Sequence, residues 1–124
     1  MRSLALASAL LLSCAAAPRA APAGAARPEV VLEQFAAAVE EGRWSEAWPL
    51  LSAAWRARTT PARLAADWTA SGPVGPEAAA RVRALLAAGT ALAVGPREAS
   101  LAVGQGRQAR LVREPEGWRV EALE

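Results

Sequence analysis

The chain has 124 residues, a formal net charge of +2 and no histidine or tyrosine, and its length is that of one domain. Its single cysteine excludes an intramolecular disulfide, and the lack of histidine and of a thiol pair predicts neither a metal site nor a cofactor. Because arginines alternate with acidic residues and form no basic stripe, the charge pattern predicts no nucleic-acid binding.

The first 13 residues have the character of a secretory signal. Arg2 supplies a positive start, and Leu4–Leu12 is an apolar run of nine residues. A membrane-spanning helix needs about 20 apolar residues, so this run is too short to serve as one. The pattern predicts a segment that is removed on export.

The only cysteine follows this run directly. The residues LLSC at positions 11–14 resemble the lipobox of bacterial lipoproteins, which implies cleavage before Cys14 and acylation of its sulfur and new amine. Two or three acyl chains hold a protein stably on a bilayer. Ala15 replaces the aspartate that retains many lipoproteins at the inner membrane, so the resemblance implies the outer membrane of the cell envelope. The alternative is ordinary secretion with cleavage after residues 15–17, which Pro18 disfavours.

The next segment, Ala15–Arg27, is rich in alanine, proline and glycine and has no apolar period, so it is typical of a tether. The chain is therefore divided into a lipoprotein signal peptide over residues 1–13, a lipidated cysteine with its Ala/Pro-rich tether over residues 14–27, and one folded α+β domain over residues 28–124.

The first predicted helix is Pro28–Glu41. Proline suits a first helical turn, and Val31, Phe35 and Val39 fall on one stripe. Gly42 then provides a stop.

An aromatic stripe marks the second predicted helix, Trp44–Ala57. Trp44, Trp48 and Trp55 fall on one face at helical spacing. Pro49 lies inside the segment and predicts either a kink or the first turn of a shorter helix, because proline removes one backbone hydrogen bond.

Two further helices are predicted before residue 89. Thr60 and Pro61 have the residue types of an N-cap and a first-turn proline, and Leu64 and Trp68 share the inner face of the helix that they open. Gly72-Pro73 ends this helix and Gly75-Pro76 opens the next one. Residues 76–88 have the apolar period of a fourth helix.

From residue 90 the apolar period changes from 3.6 to 2, which is typical of strands. Short links containing glycine or proline separate four runs and favour an antiparallel meander. Helices followed by strands indicate an α+β fold with the helices on one sheet face. The predicted strands are Thr90–Val94, Ala99–Val103, Gln108–Arg113 and Trp118–Leu123.

The order of these elements, residues 42–52 (GRWSEAWPLLS) and residues 116–123 (EGWRVEAL) resemble small secreted members of the nuclear transport factor 2-like superfamily. The resemblance spans residues 28–124. It implies a cone-shaped α+β domain in which three to four N-terminal helices pack on a curled four-stranded antiparallel sheet, with a pocket between them. Catalytic members place aspartate, histidine or tyrosine in the cone. Here Asp67 is the only one of these, and no catalytic residue of the family maps onto the chain.

Tryptophans are the candidates for a pocket wall, because indole rings stack on planar or apolar ligands. The alternative is that they fill the core of an alanine-rich chain, in which bulky side chains supply most of the buried area. The candidate residues are Trp44, Trp48, Trp55, Trp68 and Trp118.

Two charged features offer weaker candidates. Arg56, Arg58 and Arg63 surround the start of the third predicted helix, where they could hold an anion or form a solvated corner. Asp67 could serve as a general base or lie on the helix surface as an ordinary carboxylate.

These observations predict an envelope-anchored lipoprotein that acts as a non-catalytic binding or protein-interaction module. Its expected partners are the bilayer, through acylated Cys14, and either an envelope protein or a small apolar ligand. The alternatives are a small cone-fold enzyme of isomerase or dehydratase type that uses Asp67, and a secreted, unlipidated binding domain. The sequence does not predict an oligomeric state.

Overall fold

The computed structural model of this chain describes residues 26–123. Cys14 and the predicted signal peptide therefore lie outside the described residues, as does most of the predicted tether. The described part is an α+β fold in which helices precede and pack on a four-stranded antiparallel sheet, as the sequence predicts. Its elements are α1 (Pro28–Glu40), α2 (Trp44–Ala47), a 3-10 helix (Trp48–Leu50), α3 (Ala53–Arg56), α4 (Pro61–Ala70), α5 (Val74–Ala87), β1 (Ala93–Val94), β2 (Glu98–Gly104), β3 (Arg107–Glu114) and β4 (Gly117–Leu123).

The prediction of three to four helices is wrong, because residues 26–123 contain five α-helices. The predicted second helix is divided in two at Pro49, which falls in the 3-10 helix. Beyond it, Leu51 is extended and forms a parallel bridge with Val120 of β4. Ser52 donates its N–H to the Val120 carbonyl at 2.9 Å and then caps α3. Pro49 cannot donate a backbone hydrogen bond, and the chain leaves the helix for the edge of the sheet.

The start of α4 follows the sequence pattern. The Thr60 hydroxyl accepts the N–H of Arg63 at 3.1 Å, and Pro61 occupies the first turn. The next helix, α5, begins at Val74, two residues earlier than predicted.

The sheet is a meander in the order β1-β2-β3-β4. The first strand is shorter than predicted. Thr90 still donates its N–H to Leu85 at the end of α5, and Gly95 donates to Glu98 in a tight turn. These two bonds leave only Ala93–Val94 to pair with β2.

A bulge in β4 decides which side chains face the helices. Leu111 of β3 lies opposite Val120, whereas Ala109 lies opposite Leu123, so β4 carries one extra residue between these pairs. Because side chains alternate along a strand, the extra residue, Glu121, lets both Val120 and Leu123 face inward.

The core lies between the inner face of the sheet and α1, with α5 beside α1. Leu32 on α1, Val82 on α5 and Leu111 on β3 are fully buried there. Arg83 of α5 donates hydrogen bonds to Glu33 at 3.1 Å and to Glu40 at 2.8 Å, which joins the two helices along their exposed side. Donating to the carboxylates of Glu40 and Glu33 raises the pKa of Arg83 above its ordinary value.

Candidate functional site

A groove of about 500 Å³ lies between α4 and the second half of β4. Phe35 of α1 and Leu51 contribute to it from the core, and Val120 and Leu123 contribute from the sheet. Most of its lining is apolar. The groove therefore continues the hydrophobic core to the surface of the domain.

One face of α4 forms a wall of this groove. Leu64, Asp67, Trp68 and Ser71 line it, at spacings of three, one and three residues. These positions share one helical face, which explains why a single short helix, with its C-cap residue Ser71, supplies four lining residues. The tryptophan among them, Trp68, is half-buried and packs against the core.

A tight corner between α4 and α5 holds Trp68 in place. A Cβ atom added to Gly75 would lie 2.7 Å from the Ser71 hydroxyl and 3.1 Å from the Trp68 ring. Only glycine fits there without displacing its neighbours. The Ser71 hydroxyl also accepts the Gly75 N–H at 3.3 Å, so the corner is both packed and hydrogen-bonded.

The other indole in the groove is that of Trp55, which is 41% exposed. Its Nε1 donates a hydrogen bond to the backbone carbonyl of Glu121, and the Arg58 guanidinium lies 5.4 Å from its ring centroid. The Ser52 hydroxyl accepts the Trp55 N–H at 3.3 Å. These contacts fix a large apolar ring at the rim of the groove.

The remaining candidate tryptophans lie outside the groove lining. Trp44 packs edge-to-face against Trp68 with ring centroids 6.0 Å apart. Trp48 donates its Nε1–H to the Thr59 carbonyl at 3.0 Å. Trp118 is 7% exposed and lies 6.0 Å from the Arg113 guanidinium. Of the five tryptophans, Trp55 and Trp68 therefore line the groove and the other three do not.

The three candidate arginines contact different neighbours. The Arg56 guanidinium lies 6.0 Å from the Trp48 ring, and Arg58 donates to the Ala54 carbonyl at 3.3 Å while stacking on Trp55. Arg63 pairs with Asp67, with 3.0 Å between Nε and Oδ1. None of the three arginines is among the residues that line the groove.

Three charged side chains do line the groove. They are Asp67 on α4, Glu121 in the bulge of β4 and Arg107 at the start of β3. Arg107 lies two residues before Ala109, so strand alternation gives it the inward direction of that residue. The alternation signal for Arg107 was present, but the predicted strand begins at Gln108 and leaves this residue out. Glu121 had no such signal, because alternation without the bulge places it on the opposite face from Val120.

A second, larger depression of about 860 Å³ lies beside α1 and the end of α5. Its lining includes Arg27, Glu29, Glu33 and Arg83, and the last two are bonded to each other. It contains no aromatic side chain. The smaller groove thus offers the apolar surface that a small-molecule site uses.

Between residues 26 and 123, no three acidic side chains come together in a way that could hold a metal ion. None of the helices in this part of the chain combines the length and the apolar character that a bilayer span requires.

Comparison with known proteins identifies no relative of this chain. No protein-family model matches the chain, and neither a curated protein nor a solved structure matches it significantly.

Proposed function

We propose that this chain is an envelope-anchored lipoprotein whose folded domain is a non-catalytic binding module, with a small apolar ligand in the groove between α4 and β4. The observation that carries the proposal is the groove itself, in which Trp55 and Trp68 expose indole surface beside apolar walls. Apolar surface left in water costs about 25 cal/mol per Å². A concave apolar surface of this kind favours occupation by a ligand.

The dimensions of the groove suit a small molecule. Its volume of about 500 Å³ falls within the range of roughly 300–1,000 Å³ that is typical of small-molecule sites. The two indoles offer flat faces, and Leu64 and Val120 supply aliphatic contacts.

The proposed anchor is the thioether of Cys14, acylated after removal of the preceding residues. The short apolar run before this cysteine and the Ala/Pro-rich segment after it support the proposal. By the same resemblance, Ala15 favours the outer membrane. Such an anchor would keep the groove close to a bilayer surface.

For the domain we propose the cone-shaped fold of the nuclear transport factor 2-like superfamily, with a curled sheet. Helices followed by a four-stranded meander support it. The bulge at Glu121 supports it as well, because bulges bend the strand that carries them. The position of the groove, between helices and sheet, is where a cone has its pocket.

A small enzyme of isomerase or dehydratase type is the second candidate, because Asp67 lines the groove. Its Oδ1 already accepts a hydrogen bond from Arg63, and the chain contains no histidine or tyrosine to work beside it. Ligand binding without turnover is therefore the preferred function. Asp67→Asn should leave ligand affinity within about twofold, whereas loss of a turnover would favour the enzyme.

A test of the groove uses the neutral fluorescent probe N-phenylnaphthylamine and two substitutions on α5. Ala78 lines the groove, whereas Ala80 is exposed and lies outside the lining. Ala78→Phe should weaken probe binding about tenfold by filling the groove, and the control Ala80→Phe should not. Equal affinities for both variants, or no probe binding to the unsubstituted protein, would rule out the groove as the site.

The anchor is tested separately by fatty-acid labelling and membrane fractionation. Cys14→Ser should abolish the label and release the protein from membranes. Unlabelled wild-type protein, or membrane retention of the variant equal to that of the wild type, would overturn the lipoprotein proposal. Co-purification of an envelope protein that persists in Ala78→Phe would favour a protein partner over a ligand in the groove.

A further inference from the structure

Aromatic side chains are concentrated in the groove between α4 and β4. The chain has five tryptophans and one phenylalanine, and three of these residues, Phe35, Trp55 and Trp68, line this groove. Phe35 is buried, whereas Trp68 is half-buried and Trp55 is exposed at the rim. Aromatic rings attract one another through their quadrupoles, beyond the effect of the area that they bury. Half of the aromatic rings of the chain therefore lie where the ring of a ligand could contact them.

The rim indole of Trp55 is held in one orientation. Its Nε1 donates a hydrogen bond to the backbone carbonyl of Glu121, and the Arg58 guanidinium lies over the ring, 5.4 Å from its centroid. A guanidinium covers only one face of an indole. The opposite face is therefore left for a ligand in the groove.

The ring of Trp68 is fixed as well. The edge-to-face contact with Trp44, at 6.0 Å between centroids, holds it from one direction. From another direction Gly75 approaches so closely that an added Cβ atom would lie 3.1 Å from the ring. Both indoles of the groove are thus ordered before a ligand binds, which lowers the entropic cost of stacking on them.

The two hydroxyl groups of the lining already have partners within the protein. Thr59 donates its hydroxyl to the Thr60 carbonyl at 3.4 Å. The Ser71 hydroxyl donates to the Trp68 carbonyl at 2.6 Å and accepts the Gly75 N–H at 3.3 Å. A ligand with many hydroxyl groups, such as a sugar, would give up hydrogen bonds to water and find few replacements. The lining therefore favours a ligand with few polar groups.

The charges of the lining have both signs. Asp67 and Glu121 are acidic and Arg107 is basic. Asp67 is already paired, since its Oδ1 lies 3.0 Å from the Nε of Arg63. The other two lining charges are one of each sign. A charged ligand would lose hydration on entering an apolar groove without a net attraction in return, so the groove favours an uncharged ligand.

We propose that the ligand is an uncharged, planar aromatic compound with few hydrogen-bonding groups. Its ring stacks on the groove face of Trp55 and contacts the rings of Trp68 and Phe35. A flexible acyl chain would gain the same hydrophobic contribution from burial, but it would lack the attraction between rings. This inference rests on the proposed function, because it names the ligand class of the same groove.

The test compares 2-naphthylmethanol with its saturated analogue, decahydro-2-naphthylmethanol. The two compounds have the same carbon skeleton and hydroxyl group, and only the first has flat aromatic rings. Isothermal titration calorimetry with the full-length chain measures both affinities. The aromatic alcohol should bind about fivefold more tightly than the saturated one. The charged analogues 2-naphthoate and 2-naphthylmethylammonium should both bind more weakly than the aromatic alcohol.

Two substitutions at Trp55 separate the ring from its hydrogen bond. Trp55→Leu removes both, and it should reduce the preference for the aromatic alcohol to about twofold, because Trp68 and Phe35 remain. Trp55→Phe is the matched control, since it keeps an aromatic face but loses the indole N–H. It should retain a preference of about threefold or more. Circular dichroism checks that both variants are folded.

Equal affinities of the unsubstituted protein for the aromatic and the saturated alcohol would overturn the aromatic class while leaving an apolar groove. A preference that persists in full in Trp55→Leu would overturn stacking on this indole. Tighter binding of either charged analogue would overturn the uncharged ligand. Binding of none of the four compounds would instead contradict the proposed function.

Discussion

Two helices with similar apolar stripes, α1 and α4, lie in different surroundings. Each begins with a proline in its first turn. Yet α1 buries seven of its thirteen residues, and α4 buries none of its ten. An apolar stripe therefore tells which side of a helix faces the protein. It does not tell whether that side meets packed atoms or a groove.

The difference follows from what each helix packs against. The stripe of α1 meets α5 and β4, and Leu32 and Val39 are fully buried there. The stripe of α4 meets α2 through the Trp44–Trp68 pair, while Leu64 faces the groove. Close packing on one helix and open space beside the other place the groove next to α4.

The largest expected effect is a difference in unfolding free energy between leucine-to-alanine variants on α1 and on α4. Leu32→Ala removes a fully buried side chain and should cost about 3 kcal/mol of unfolding free energy, because it leaves a cavity in packed core. Leu64→Ala should cost about 1 kcal/mol, because Leu64 is only half-buried. Urea unfolding followed by circular dichroism measures both. Equal losses would show that α4 is packed as tightly as α1.

A smaller effect is expected at the corner between α4 and α5. Gly75→Ala should destabilise the domain by about 1–2 kcal/mol, because the new methyl group would lie too close to Ser71 and Trp68. Displacement of the ring should also shift the tryptophan emission. Gly95→Ala is the control, since its Cβ would meet its nearest atom at an ordinary 3.4 Å. A stabilising Gly75→Ala would contradict the close packing of this corner.

The link between α3 and the sheet is the next target. Glu114 of β3 accepts the N–H of Ala53, the first residue of α3, at 2.6 and 3.1 Å. Glu114→Ala should cost about 1 kcal/mol, because it removes a charge-assisted cap at a helix N-terminus. Glu116→Ala, in the exposed turn that follows, should cost much less. Thermal unfolding measures both, and equal shifts would exclude the cap as the cause.

The smallest effect is expected on the exposed side of α1 and α5. Arg83→Gln breaks the pairs with Glu33 and Glu40, all at partly exposed side chains. It should lower the unfolding temperature by about 2 °C at low salt and by less at high salt, because solvent and ions screen such pairs. A drop that does not change with salt would assign the effect to packing of the arginine stem.

The sequence predicted part of the candidate site. It named Trp55, Trp68 and Asp67, which share the groove, because helical spacing identifies the inner face of a helix without knowing its neighbours. It also named Trp118, which is buried on the sheet instead. Composition and spacing alone cannot divide aromatic side chains between a core and a cavity wall, since both are apolar surroundings.

Other lining residues could not be predicted from local pattern. Leu51 reaches the groove only because the chain leaves its helix at Pro49 and pairs with Val120. Glu121 reaches it only because β4 carries an extra residue there. Each depends on a partner far along the chain, and no local period records such a partner.

The sequence by itself determined where most of the helices and strands begin and end. Proline, glycine and capping side chains act within a few residues of their own positions, as Thr60 does for α4. The tertiary structure decided the division of the predicted second helix, the inward side of β4 after its bulge and the existence of the groove. These depend on non-local backbone pairing and on how completely two surfaces fill the space between them, and neither quantity is encoded in any single stretch of the chain.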